Sequence, residues 1–184
     1  MDSIVLTDIC ECWGDGEKCA HIESFSEAAS VVLEKIGHEP GISLEIEGDF
    51  KDKCSIQWGE ISDSIRGMWA DEQEAVEKGA CGIACMLVYK LTDYKVIERG
   101  VKTSGFDFWL AKKTYSDELD DSLNVFPGDG RLEVSGLLQS SETNTIQSRL
   151  KKKQKQIKQS DSMSLPAYIA IVEFASPKAL LKNE

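Results

Sequence analysis

No apolar run in this chain approaches the roughly 20 residues that span a bilayer. Its first eight residues, MDSIVLTD, have no basic stretch of the kind that opens a signal peptide. A cytoplasmic protein is therefore expected. Histidine occurs only as His21 and His38, and neither has a partner in the sequence that would make a nucleophile–base pair. There is no G-x-x-x-x-G-K-[ST] phosphate loop and no G-x-S-x-G elbow, so P-loop and elbow-type serine-hydrolase chemistry find no support. No internal repeat or low-complexity block stands out. Positive charge is in deficit: 21 Lys and Arg stand against 32 Asp and Glu, a net charge of −11. That balance excludes a surface broadly coated for nucleic acid, so such binding has to be local or supplied by a partner.

What remains is an ordinary globular composition, 41% hydrophobic and 29% charged over 184 residues. That length holds one domain with a proper core, with room for a small N-terminal addition. The six cysteines do not form the pattern of a disulfide framework. Cys10, Cys12, Cys19 and His21 give C-x-C-x6-C-x-H, enough donors in number for zinc. The spacing departs from that of structural zinc sites, and free thiols in an edge loop are the expectation.

Ser26 followed by an apolar run predicts a helix over 26–37 with Val31, Val32, Leu33 and Ile36 buried and Gly37 at its end. Alternation over 42–47 and 54–58 predicts a hairpin. Residues 1–66 thus read as an αββ addition, and 67–184 as the main α/β core, the two forming one compact unit. The longest helical pattern runs from Met68 to Leu91, with small residues crowding its middle so that it can lie close to a sheet. Strands are expected at 95–99, 105–110 and 131–138, a helix at 145–159, and a doubly buried strand at 167–174. Residues 111–130 read as an acidic loop, and the tail after Pro177 is expected to fray. The predicted fold is α/β, a mixed central sheet flanked by helices.

Two of the expected strands each carry one carboxylate inside an apolar run: Asp107 in Gly-Phe-Asp-Phe-Trp-Leu and Glu133 in Leu-Glu-Val-Ser-Gly. A carboxylate in a half-buried strand is costly without a partner, a hydrogen bond or a cation. Asp107 bonded at a strand end near Gly105, and Glu133 paired with Arg99 or Arg131 on a wet face, are alternatives to shared metal binding. The helix over 145–159 carries Arg149, Lys151, Lys152, Lys153, Lys155 and Lys158 with no acid among them. Such a stripe favours a polyanion or an acidic partner surface, or is a solvated face.

The order helix, strand, strand, strand, basic helix, strand, with Asp in the second strand and Glu in the third, resembles the core of the PD-(D/E)XK nuclease superfamily. The resemblance covers about residues 67–175, and the chain is also similar to small uncharacterised bacterial proteins. It implies a restriction-endonuclease-like core acting on nucleic acid, as a metal-dependent nuclease in phage defence. Asp107 and Glu133 would be the Mg²⁺ ligands and Glu77 an auxiliary acid, with Arg149, Lys151, Lys152, Lys153 and Lys155 on the phosphates. The family pattern places a lysine two residues after the second acid, and Ser135 stands there. Lys102, Arg149 and Lys151 are candidates to replace it. The open alternative is a non-catalytic subunit of a larger nucleic-acid-processing or defence complex, with a protein partner or a second copy of the chain.

Overall fold

The computed structural model describes residues 1–13, 19–101, 104–113, 128–159 and 165–184, with the side chains of 19, 20 and 159 left aside. Lys102 and all of the expected acidic loop except its two ends lie outside the described residues.

The chain starts with β1 (Ser3–Val5), a 3-10 helix (Leu6–Cys12) and α1 (Cys19–Lys35). Helix α1 starts well before Ser26, whose carbonyl accepts the Ser30 hydroxyl inside the helix, so Ser26 does not cap it. The buried side chains Ile22 and Phe25 extend the apolar stripe back past the expected start and override the local cap signal. The hairpin follows as β2 (Ile42–Gly48) and β3 (Asp52–Gln57), paired antiparallel as expected.

The long helix starts four residues later than expected, and Met68 instead ends a separate short helix. α2 covers Asp63–Met68, and α3 covers Glu72–Leu91 after a break. Asp71 caps α3 by accepting the Glu74 N–H at 2.9 Å, a local signal that ends one helix and starts the next. Then come β4 (Tyr94–Arg99), β5 (Phe108–Lys112), β6 (Gly130–Leu137), α4 (Ile146–Gln159), β7 (Ala167–Glu173) and β8 (Lys178–Asn183).

The eight described strands form one mixed sheet in the order β1-β3-β2-β8-β7-β6-β5-β4. The strands of the N-terminal αββ stretch therefore belong to the same sheet as the core, joined to it through β8. The tail after Pro177 does not fray: β8 pairs antiparallel with β7 and parallel with β2. Ala179 and Leu181 go into one core and Leu180 into the other, so three consecutive apolar residues anchor it from both sides.

One face of the sheet is covered by the 3-10 helix, α1 and α3. Leu132 and Val134 of β6 face this layer, with Phe25 edge-on to Phe108 at 6.1 Å between ring centroids. The other face carries α4, whose Ile146, Leu150 and Ile157 meet Leu137, Ile169, Ile171 and Leu180. Glycines on α3 and β6 let α3 lie close to its neighbours. A Cβ on Gly79 would come within 2.8 Å of the Ala29 backbone, so this position lets α1 lie against α3. On the sheet side the small residue is Gly136 of β6, where a Cβ would come within 2.4 Å of the Val76 carbonyl oxygen.

Candidate functional site

Side chains alternate along a strand. On β6, Leu132 and Val134 point to the α1/α3 layer, which leaves Glu133 and Ser135 facing α4. Glu133 is only 2% exposed, which rules out the wet-face pairing with Arg99 or Arg131. Its partner is Lys153 of α4, whose Nζ donates to Glu133 Oε1. Arg131 is itself buried, and its Nη2 donates to the Leu165 carbonyl at 3.0 Å.

Asp107 sits one residue before β5 rather than inside it, because the register places Phe108 opposite Leu132 as the last pair. Its backbone N–H still donates to the Leu132 carbonyl at 3.0 Å. Beyond that point β6 has no neighbour on its β5 side, and the Asp107 carboxylate takes over there by accepting the Val134 N–H at 2.8 Å. Asp107 thus bonds the interior of β6 beside the start of its own strand, rather than the strand end near Gly105. The same placement brings its carboxylate close enough to Glu133 to raise that carboxyl's pKa.

Burial pushes the Glu133 carboxyl up to about 7, and the negative charge and contact of Asp107 push in the same direction. Lys153 opposes the rise without cancelling it. Two acids sharing one small volume with one lysine leave an excess of negative charge, which a proton or a cation relieves.

The position two residues after Glu133 is also reached from α4. Arg149 Nη1 donates to Ser135 Oγ at 2.8 Å and to the Gly136 carbonyl at 2.6 Å, and its Nε donates to Asn144 Oδ1 at 2.9 Å. Of the six bases on α4, Arg149 and Lys153 are thus turned onto β6. Lys151, Lys152, Lys155 and Lys158 are exposed. The candidate missed in the sequence is Lys153 as partner of the acid. The signal was its spacing of four from Arg149, which puts both on one helical face.

Glu77 is exposed and accepts Gln73 Nε2 at 3.1 Å. It lies one turn before Cys81, a thiol close enough to Asp107 and Glu133 to feel their charge. No described contact joins Glu77 to the carboxylate pair.

The residues fit a hard divalent cation in donor chemistry. Mg²⁺ is commonly held by one or two carboxylates, with water and substrate phosphate completing its shell. Among the described residues no group of three or more His, Cys, Asp or Glu side chains converges as a metal cluster, so any such site rests on this pair alone. At the N-terminus, Cys10 is disulfide-bonded, contrary to the expectation of free thiols throughout. The Cys12 thiol is buried and donates to the Ile9 carbonyl at 2.8 Å, so C-x-C does not present two thiolates to one ion. Cys54, Cys81 and Cys85 are free.

No family model, no curated protein and no solved structure matches this chain.

Proposed function

We propose that the protein is a metal-dependent nuclease built on a PD-(D/E)XK-like core, with Asp107 and Glu133 as the ligands of one Mg²⁺. The observation that carries this reading is the placement of the Asp107 carboxylate on the Val134 N–H, next along β6 from Glu133, where β5 leaves β6, with Lys153 held against Glu133. Two acids are kept together there despite burial and mutual repulsion, an arrangement that folding alone disfavours.

In this reading Mg²⁺ supplies positive charge to the scissile phosphate and a water of lowered pKa. Asp107 is oriented by the Val134 N–H, which fixes its carboxylate plane. Lys153 favours the ionised form of Glu133 and presents an ammonium to the charge that develops on the phosphate. It thereby takes the part of the lysine missing at Ser135. Glu77, at the side of α3 nearest Cys81, assists as a water-orienting acid. Lys151, Lys152, Lys155 and Lys158 meet the phosphates outside the site.

The test is calorimetric titration with Mn²⁺ together with a cleavage assay on DNA and RNA. Wild type is expected to bind one ion and to cleave. Asp107→Ala abolishes both, and Lys153→Met lowers cleavage by about 10²–10³ while leaving the ion bound. The proposal fails if the wild-type chain binds no metal.

A second reading is favoured by the depth of Glu133 and by Arg149 closing over Ser135. In it the fold serves as a non-catalytic subunit of a nucleic-acid-processing or phage-defence complex. Absence of metal binding, together with stoichiometric co-elution with a neighbour-encoded protein, would decide for it.

A further inference from the structure

Arg149 was expected on the phosphates, yet its Nε and Nη1 donors are already committed to Asn144, Ser135 and Gly136. We propose that Arg149 is a positioning residue: it locks the register of α4 on β6 so that Lys153 lies over Glu133. Its link to catalysis rests on the nuclease reading above, but the positioning itself does not.

The two elements match in length. Four residues of helix rise about 6 Å, and two residues of strand rise about 6.6 Å. Arg149 and Lys153 are four apart on α4, and Ser135 and Glu133 are two apart on β6, in the opposite sense along the chain. Helix and strand therefore run antiparallel, and two contacts at the same pitch form a two-rung ladder: Arg149 on Ser135, Lys153 on Glu133.

The rungs are unequal. The apolar stripe of Ile146, Leu150 and Ile157 holds α4 to the sheet, but apolar contacts are not directional and permit sliding. A lysine is a point charge on a flexible stem and does not set register, whereas a planar guanidinium with three short bonds does. One of those bonds ends on a backbone carbonyl of β6, which no side-chain motion can displace. The charged groups that act on Glu133 are Asp107 from the start of β5 and Lys153 from α4, and buried Arg131 lies two residues before it on the same strand face. Cys81 lies on the α3 side.

The experiment is competitive acetylation of the lysines in the full chain, read by mass spectrometry, so it needs no activity. In wild type, Lys153 is expected to label about tenfold more slowly than exposed Lys151, the size of one hydrogen bond to a charged group. Arg149→Met brings the two rates together, and Ser135→Ala, which removes one of the two Arg149 bonds to β6 and leaves the one to Gly136, narrows the gap in part. Arg149→Lys, which keeps the charge and loses the fork, restores the protection only in part. Amide exchange over 146–159 reports whether the helix itself stays docked. If Arg149→Met releases the whole helix, Ser135→Ala, which keeps every α4 side chain, decides.

Unchanged protection of Lys153 in the docked variants overturns the inference, as does equal labelling of Lys151 and Lys153 in wild type. A protein that cleaves nothing sinks the nuclease reading and leaves the labelling result standing. In a protein that does cleave, Arg149→Met is expected to lower kcat and leave KM unchanged.

Discussion

At the scale of single residues, Glu133 is where chemistry and folding conflict. Its ordinary value is 4.5, and burial beside Asp107 carries it to about 7. The folded state therefore holds this proton more tightly than the unfolded chain. The stabilisation is fully present below pH 4.5 and is lost as the pH rises through 7. With chelator present, wild type is expected to lose stability across that window relative to Glu133→Gln, on the order of 2–3 kcal/mol. Urea denaturation at a series of pH values measures the difference, and parallel curves for the two proteins would show that Glu133 is not the group responsible. Metal should remove the same slope, since a cation replaces the proton.

At the scale of elements, the site depends on how closely α3 and α4 approach the two faces of β6. On the α3 face that approach is set by Gly136. Its absent side chain leaves room for the Val76 carbonyl, and a methyl group there would be 2.4 Å from that oxygen and 2.9 Å from Val76 Cγ1. Backbone cannot step aside as a flexible side chain can. Gly136→Ala is therefore expected to cost about 2 kcal/mol by overpacking, which lowers Tm by roughly 4–8 °C. Calorimetry reads this directly. A change of less than one degree would mean that α3 can lift from the sheet at little cost. On the α4 face an apolar stripe holds the helix, and polar contacts from Arg149 and Lys153 fix where along β6 it sits.

At the scale of the whole molecule, the charge distribution limits what can bind. A chain of net −11 repels a polyanion except where Lys151, Lys152, Lys155 and Lys158 stand out from α4. With up to four phosphates neutralised, the slope of log K against log salt for duplex DNA is expected at about −3 to −4. Replacing all four lysines by glutamine should flatten it, as fluorescence anisotropy over a salt series would record. A slope that survives the replacement would move the polyanion surface elsewhere. Among the described residues no helix is long and apolar enough to cross a membrane.

Much of this architecture is local in origin and was legible in the chain. Alternation marked β2 and β3, the apolar density of 167–174 marked a strand buried on both faces, and an acid-free run marked α4. The carboxylates were visible as misfits, polar groups inside apolar strands, because the cost of burying charge shows in the pattern before any partner is known. Partnership was not legible. Whether Glu133 met Arg99, Arg131, a metal or Lys153 depended on which face of β6 received α4 and in what register, and register is a property of two elements together. The same holds for the tail after Pro177: three apolar residues are too few to show a strand alone, and they became one only where β2 and β7 left a gap between them. Residue identity set the price of each local conformation, and long-range packing decided which groups would stand within bonding distance.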